Sequence, residues 1–319
     1  MPSELEAMFD VAALHYGLPL IQKPMNRPQM NCINCYLEDG NMPVVAMLGG
    51  SPIDAKVQLE CAIAMTRKLK TTLTGLVAMP DPANAFMYVS GPESVMAGPS
   101  AINAVVQAQD ESLAALKAAF NDAVKEAGTW LKAEFVHEIG PVPKFAAGAA
   151  MLSDALVFPH GSAASTHALN PAFEHVLMEA RLPLVMASAS GHADGPCVIA
   201  WDGSPQAARA VRLHLPLIRA YGHVIITQHP DKVRAASRSS SAVSPDALAE
   251  WLHDERIETT LALIEGRISE GLLSVAREHK AGLLVMGAYG HSRMGEMLFG
   301  GTSRELLNEP GGPVLALAH

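Results

Sequence analysis

Apolar residues along this chain fall into short unbroken runs, separated by stretches in which they recur every three or four positions. The run at 44–48 reads as a buried strand, and "GGSP" follows it at 49–52. Ser51 suits a helix cap and Pro52 a first helical position. Ala55, Leu59, Ala62, Thr66 and Leu69 then keep helical spacing, which predicts a helix with one buried face. A second strand is predicted at 72–79. Residues 80–110 carry Pro80, Pro82, Gly91, Pro92, Gly98 and Pro99 and read as a long loop or lid. The pattern resumes with a helix at 111–126, a strand at 132–137, a short helix at 142–150, a strand at 155–158, and a helix and strand ending at 183–187.

The sequence then starts again. A strand at 197–201 runs into "DGSP", and Pro216 predicts a kink in the helix that follows. A strand is predicted at 224–228, a polar mobile loop at 235–245, a helix at 246–254 and a strand at 259–264. Ile268, Leu272, Val275, Ala276 and His279 line one face of the next helix. A strand at 283–286, a glycine-rich stretch, a helix and a strand at 314–317 complete the chain. "LGGSP" at 48–52 and "WDGSP" at 201–205 open the two halves alike, and "LPLVMA" at 182–187 answers "GPVLAL" at 312–317. This is an internal duplication of alternating strands and helices. It predicts an α/β fold of two tandem doubly wound parallel sheets of Rossmann type, which bind ligands at the carboxyl ends of their strands. The expected divisions are an extension at 1–41, a first domain at 42–190 and a second at 195–319. In the extension, Leu5, Met8, Phe9, Ala12 and Ala13 suit a short amphipathic helix, which Pro19, Pro24 and Pro28 end. The closing strands at 184–187 and 314–317 would leave open sheet edges, so they are expected to pair with each other or with a second chain as a homodimer.

Composition narrows the function. At 49% hydrophobic and 17% charged residues the chain can bury a sizeable core, and a net charge of −9 argues against a general nucleic-acid binder. No apolar run approaches the roughly 20 residues that span a bilayer. Glu4 and Glu6 stand where a secretory leader would be basic, so a cytoplasmic location is expected. Cys32 and Cys35 form a C-x-x-C, open to reading as a redox pair or half of a metal site. With no second such pair, they read rather as two small residues of the extension. His160, His167 and His175 are spaced too irregularly to predict a metal site.

The candidate chemistry lies at 283–307, "LLVMGAYGHSRMGEMLFGGTSRELL". A buried strand ending at Met286 and Gly287, glycines at Gly290, Gly295, Gly300 and Gly301, and capping hydroxyls at Thr302 and Ser303 make a strand, glycine loop and helix start. That arrangement offers backbone N–H groups to phosphate. It is neither a Walker loop, since no lysine is present, nor a G-x-G-x-x-G dinucleotide fingerprint. His291 and Arg293 of the loop either meet phosphates or form a solvated face.

The chain resembles the universal stress proteins in their tandem form, over about residues 43–319 and most strongly over 196–319. The family motif is G-x-x-G, nine residues, G-[ST]. Gly287, Ala288, Tyr289, Gly290 and then Gly300 fit it, while Gly301 departs from it and Thr302 and Ser303 follow directly. An aspartate closing the first strand is matched by Asp202, followed by Gly203 and Ser204. The resemblance implies an adenine-nucleotide alpha-hydrolase-like fold and a bound ATP or AMP, with or without magnesium. Asp202 would hold the adenosine portion, the strand end near Thr227 would touch the base, and the glycine loop would hold the phosphates. The first half departs further: Gly49 stands for Asp202, and Pro159 and Ser162 stand near the positions of Gly287 and Gly290. A degenerate first site is expected.

No catalytic set is evident: Gly-x-Ser-x-Gly is absent and no cysteine carries a nucleophile signature. The resemblance implies a nucleotide-binding stress-response or regulatory protein with at most slow ATP hydrolysis. The alternatives are a dimeric scaffold that binds no nucleotide, favoured by Gly301, and an adenylate-forming or hydrolytic enzyme, which would need a metal-binding carboxylate near the phosphates, with Glu296 the only nearby candidate.

Overall fold

The computed structural model describes residues 42–82, 99–190, 192–230, 243–288 and 301–319. Ten strands form one sheet: β1 (Val44–Leu48), β2 (Leu73–Met79), β3 (Ala133–Ile139), β4 (Ala155–Phe158), β5 (Leu184–Met186), β6 (Cys197–Ala200), β7 (His223–Gln228), β8 (Glu258–Leu263), β9 (Leu283–Gly287) and β10 (Val314–Ala318). The central strands are unbroken apolar runs because both of their faces are covered. In β1, Val44, Ala46 and Leu48 enter one core cluster while Val45 and Met47 enter the other, the period-two alternation of a strand buried on both sides.

The strand order is β3-β2-β1-β4-β5-β10-β9-β6-β7-β8. Read outward from the middle, β5-β4-β1-β2-β3 and β10-β9-β6-β7-β8 are the same order twice, so the doubly wound fold occurs in tandem. Neighbours within each half run parallel. The halves meet through β5 and β10, which are antiparallel, with Leu315 opposite Met186, Ala316 opposite Val185 and Leu317 opposite Leu184. Of the two ways to cover these edges, the chain uses pairing with itself.

Helices cover both faces of the sheet. One face carries α1 (Pro52–Leu69), α2 (Pro99–Ala127), α5 (Pro205–Leu213), α6 (Leu215–Tyr221) and α7 (Pro245–Asp254). The other carries α3 (Val142–Met151), α4 (Asn170–Glu174) with the π turn His175–Glu179 continuing it, α8 (Ile268–Glu278) and α9 (Gly301–Leu307). Three helices begin with Ser-Pro. The hydroxyls of Ser51, Ser204 and Ser244 each accept the N–H three residues on, from Asp54, Ala207 and Ala247, at 3.2 Å. The proline after each serine gives up only an N–H that would have had no helical partner.

Four expectations change. Residues 80–110 are not all loop, because α2 begins at Pro99 and runs 29 residues, well before the expected start at 111. Residues 101–110 contain neither glycine nor proline, and Pro99 itself suits a helix start. The helix containing Pro216 is broken rather than kinked: α5 ends at Leu213 and α6 begins at Leu215, because a proline has no N–H and crowds the carbonyl four residues back. The helix before β5 is a single α turn passing into a π turn. His279 is exposed at the end of α8, and Leu273 is buried on that helix. The extension at 1–41 with Cys32 and Cys35, most of the loop at 235–245, and residues 83–98 lie outside the described residues.

The chain passes from one half to the other under a close backbone crossing. A Cβ on Gly195 would lie 2.0 Å from the Lys280 carbonyl oxygen, and one on Gly282 would lie 2.4 Å from that of Asp194. Only glycine fits either place. Gly282 N–H donates to Pro196 O at 3.1 Å, and Gly282 O accepts from Val314 N at 3.2 Å, so the crossing also fixes the entry to β10. No helix among the described residues is long and apolar enough to cross a membrane.

Candidate functional site

A cleft of about 270 Å³ opens at the carboxyl ends of the second-half strands. The turn after β6 supplies Trp201, Asp202 and Ser204, the end of β7 supplies Thr227, and the end of β9 supplies Met286 and Gly287. Gly301, Thr302 and Ser303, the first residues of α9, close another side. These side chains come from places about a hundred residues apart, and the parallel sheet brings their strand ends to one edge. Gly203 does not line the cleft but makes its turn: at φ +73° it adopts a backbone conformation costly for a residue with a Cβ. Gly290 and Gly300 lie outside the described residues, as do His291, Arg293 and Glu296.

The turn at Asp202 is held by its own side chain, whose Oδ1 accepts the N–H of Ser204 at 2.9 Å. The carboxylate is exposed, which leaves it free to accept from a ligand as well. Thr227 is buried and its hydroxyl donates to Ile199 O at 2.9 Å. Its donor is therefore committed to the sheet, and it contributes shape to the cleft. Gly287 has a steric reason to be glycine, since a Cβ there would meet the backbone carbon of Gln206 at 2.8 Å and the nitrogen of Ala207 at 2.9 Å. The strand end thus lies directly against the first turn of α5. Gly301 has no such reason, because a Cβ there would find nothing within 4 Å.

Sequence reasoning missed the apolar wall. Trp201, Ile264, Ile268 and Leu272 line it, with His229 and Gln206 beside them. Trp201 Nε1 donates to Val243 O at 2.9 Å, and His229 shares a 3.1 Å hydrogen bond with Gly266 O, so both rings are fixed by backbone. The available signals were the position of Trp201 directly before Asp202 and the one-turn spacing of Ile268 and Leu272.

In the first half, the described residues around the turn after β1 are packed differently. At Gly49, a Cβ would lie 2.9 Å from the side chain of Leu169, so the space beside this residue is filled by the chain itself. His167 folds over the neighbouring turn, with its Nδ1 accepting the N–H of Leu169 at 3.0 Å. Burial pushes His160 and His167 below the ordinary imidazole range, against the opposing pull of the Glu309 backbone and then Asp54 on His160, and of Asp54 on His167. His175 is engaged elsewhere, 2.7 Å from Glu179. Among the described residues no group of three or more His, Cys, Asp or Glu side chains is arranged to hold a metal ion.

A doubly wound sheet with a polar-mouthed cleft at its strand ends defines the class as a Rossmann-type α/β protein. Residues 195–317 match the family model described as universal stress protein family. A universal stress protein from Archaeoglobus fulgidus DSM 4304 has a similar structure, with a TM-score of 0.55, 17% identity, and coverage of 86% of this chain and 97% of that one. A functionally unknown protein from Pseudomonas aeruginosa PAO1 aligns with a TM-score of 0.44 and 12% identity, over 88% of this chain and 92% of its own. No curated protein matches the sequence.

Proposed function

We propose that the chain is a cytoplasmic stress-response or regulatory protein whose second half binds an adenine nucleotide, ATP or AMP, with or without magnesium. The observation that carries this reading is the convergence on one cleft of Asp202, Gly287 and the Thr302–Ser303 pair, which lie far apart along the chain. The cleft has the two characters such a ligand needs. Trp201, Ile264, Ile268 and Leu272 offer an apolar wall to a base, and Asp202 can accept hydrogen bonds from a ribose. The Thr302 and Ser303 hydroxyls are suited to phosphate. The net charge of −9 is compatible with one small anion held by such neutral donors and unsuited to a polyanion.

The test is calorimetric titration of ligand-free protein with ATP, ADP and AMP, with and without magnesium, beside the Asp202→Ala variant. Binding that falls by roughly ten- to a hundredfold in the variant, the cost of a lost charge-assisted hydrogen bond, is the expected result. No binding by the folded wild type overturns the reading.

Gly301, where the family motif has Ser or Thr, favours a second reading, a scaffold of the same fold that binds no nucleotide. One substitution separates the two. Because the space at Gly301 is open, Gly301→Ser should fold normally. On the nucleotide reading the added hydroxyl should tighten ATP binding by about 0.5–1.5 kcal/mol, the net value of a hydrogen bond. Equal affinity in the same titration would mean that this position does not face the phosphates.

A further inference from the structure

Behind the cleft, α8 and α9 are joined by a bond network that the site residues do not share. Glu305 of α9 accepts with both carboxylate oxygens: Oε1 from Arg267 Nη2 and Oε2 from the Ser269 hydroxyl. Arg267 also reaches Glu270 at 3.3 Å, and Ser269 is buried. A second tie, Arg277 to Glu309 at 3.0 Å, joins the far end of α8 to the turn that follows α9. The first tie lies at the cleft end. Ile268 stands between Arg267 and Ser269 and lines the cleft from α8, while Thr302 and Ser303 line it from α9, within one helical turn of Glu305.

The packing of α9 loosens toward its first residue, although Ser303 is buried. Leu306 and Leu307 anchor the end of the helix in the core, whereas Gly301 at its start has open space beside it. An exposed ion pair alone is worth little. Here both oxygens of one carboxylate are used and one donor is buried, which fixes direction as well as distance.

We infer that Glu305 is a positioning residue: through Arg267 and Ser269 it holds Thr302 and Ser303 in place against the cleft, and so sets affinity for the phosphate portion of a nucleotide that it does not touch. The inference rests on the nucleotide reading above. It assigns Glu305 no contact with the ligand, so its removal should affect a phosphate-bearing ligand and spare the nucleoside.

The experiment titrates ATP and adenosine into wild type, Glu305→Ala, Glu305→Gln and Glu309→Ala, and follows amide hydrogen exchange at 302–307. Glu305→Ala should weaken ATP roughly tenfold, the effect of losing about one charge-assisted hydrogen bond, and leave adenosine unchanged. Exchange at 302–307 should rise in this variant. Glu305→Gln, which keeps an acceptor for Ser269, should fall between it and wild type. Glu309→Ala, which cuts the tie farther from the cleft, should leave both affinities unchanged. Wild-type ATP affinity in Glu305→Ala, or equal losses for ATP and adenosine, overturns the positioning role and leaves the nucleotide reading standing. If wild type binds neither ligand, both fall together.

Discussion

Gly287→Ala is expected to lose more than about 2 kcal/mol of stability, as overpacked core positions do, and to lose ATP binding with it. The added methyl would stand 2.8 Å from the Gln206 backbone carbon and 2.9 Å from the Ala207 nitrogen, closer than side-chain carbons come to any backbone. Neither partner can retreat without loss. The Ala207 N–H is held by the Ser204 hydroxyl at 3.2 Å, and Gly287 is the last residue of β9 registered against Ala318 of β10. The less costly escape moves the first turn of α5, and with it the turn carrying Asp202 and Ser204. Denaturant unfolding and ATP titration of the one variant read both effects. Wild-type stability in this variant would mean that β9 and α5 do not approach so closely.

The second large effect is acid destabilisation through His214. This residue fills the break between α5 and α6, is buried, and shares a 3.1 Å hydrogen bond between Nε2 and Leu317 O. Its Nδ1 is buried without a partner. Burial pushes its pKa down from 6.5 to about 4, against the opposing effect of the Leu317 carbonyl. The folded state therefore prefers the neutral ring, and the unfolded chain takes up the proton first. Stability from this residue is complete above about pH 6.5 and drains away as the pH falls toward 4. The shift corresponds to roughly 3 kcal/mol over that window, at 1.36 kcal/mol per pKa unit. His214→Leu should be less stable than wild type by about 1 kcal/mol at pH 8, for the lost hydrogen bond, and should overtake it at roughly pH 5.5–6, where the loss in wild type reaches the same size. Urea midpoints across pH 4–8 measure the crossing, and parallel curves for the two proteins would remove His214 as the cause. His160 and His167, also pushed down by burial, act in the same direction in both proteins and cancel in the difference.

Much of this architecture could be read from local pattern. The apolar runs of β1 and β4, the Ser-Pro start of α1 and the repeated "GSP" turns carry their structure within a few residues, where propensity and capping act. The placement of Asp202, Thr227 and Gly287 at strand ends followed from the same runs plus the topology of a parallel sheet. What could not be read depends on distant partners. Leu169 lies far along the chain from the Gly49 space it fills, and Arg267 and Ser269 are far from Glu305. No periodicity reports such meetings. Two misses were local. Gly98 and Pro99 read as loop although Pro99 opens a long helix, since a proline marks a helix start as readily as a loop. Pro216 reads as a kink by spacing alone, yet it separates two helices.

The antiparallel meeting of β5 and β10 has a consequence for how the two halves can differ. Separate identical chains meeting across a twofold axis would carry every substitution twice, so a cleft lost in one would be lost in both. Within one chain the copies are free to diverge: the Leu169 side chain fills the space beside Gly49, while Asp202, Gly287, Thr302 and Ser303 line an open cleft. The tether also makes the meeting intramolecular, so its strength does not depend on protein concentration and dilution does not part the halves. One half can thus serve as a permanent partner strand for the other.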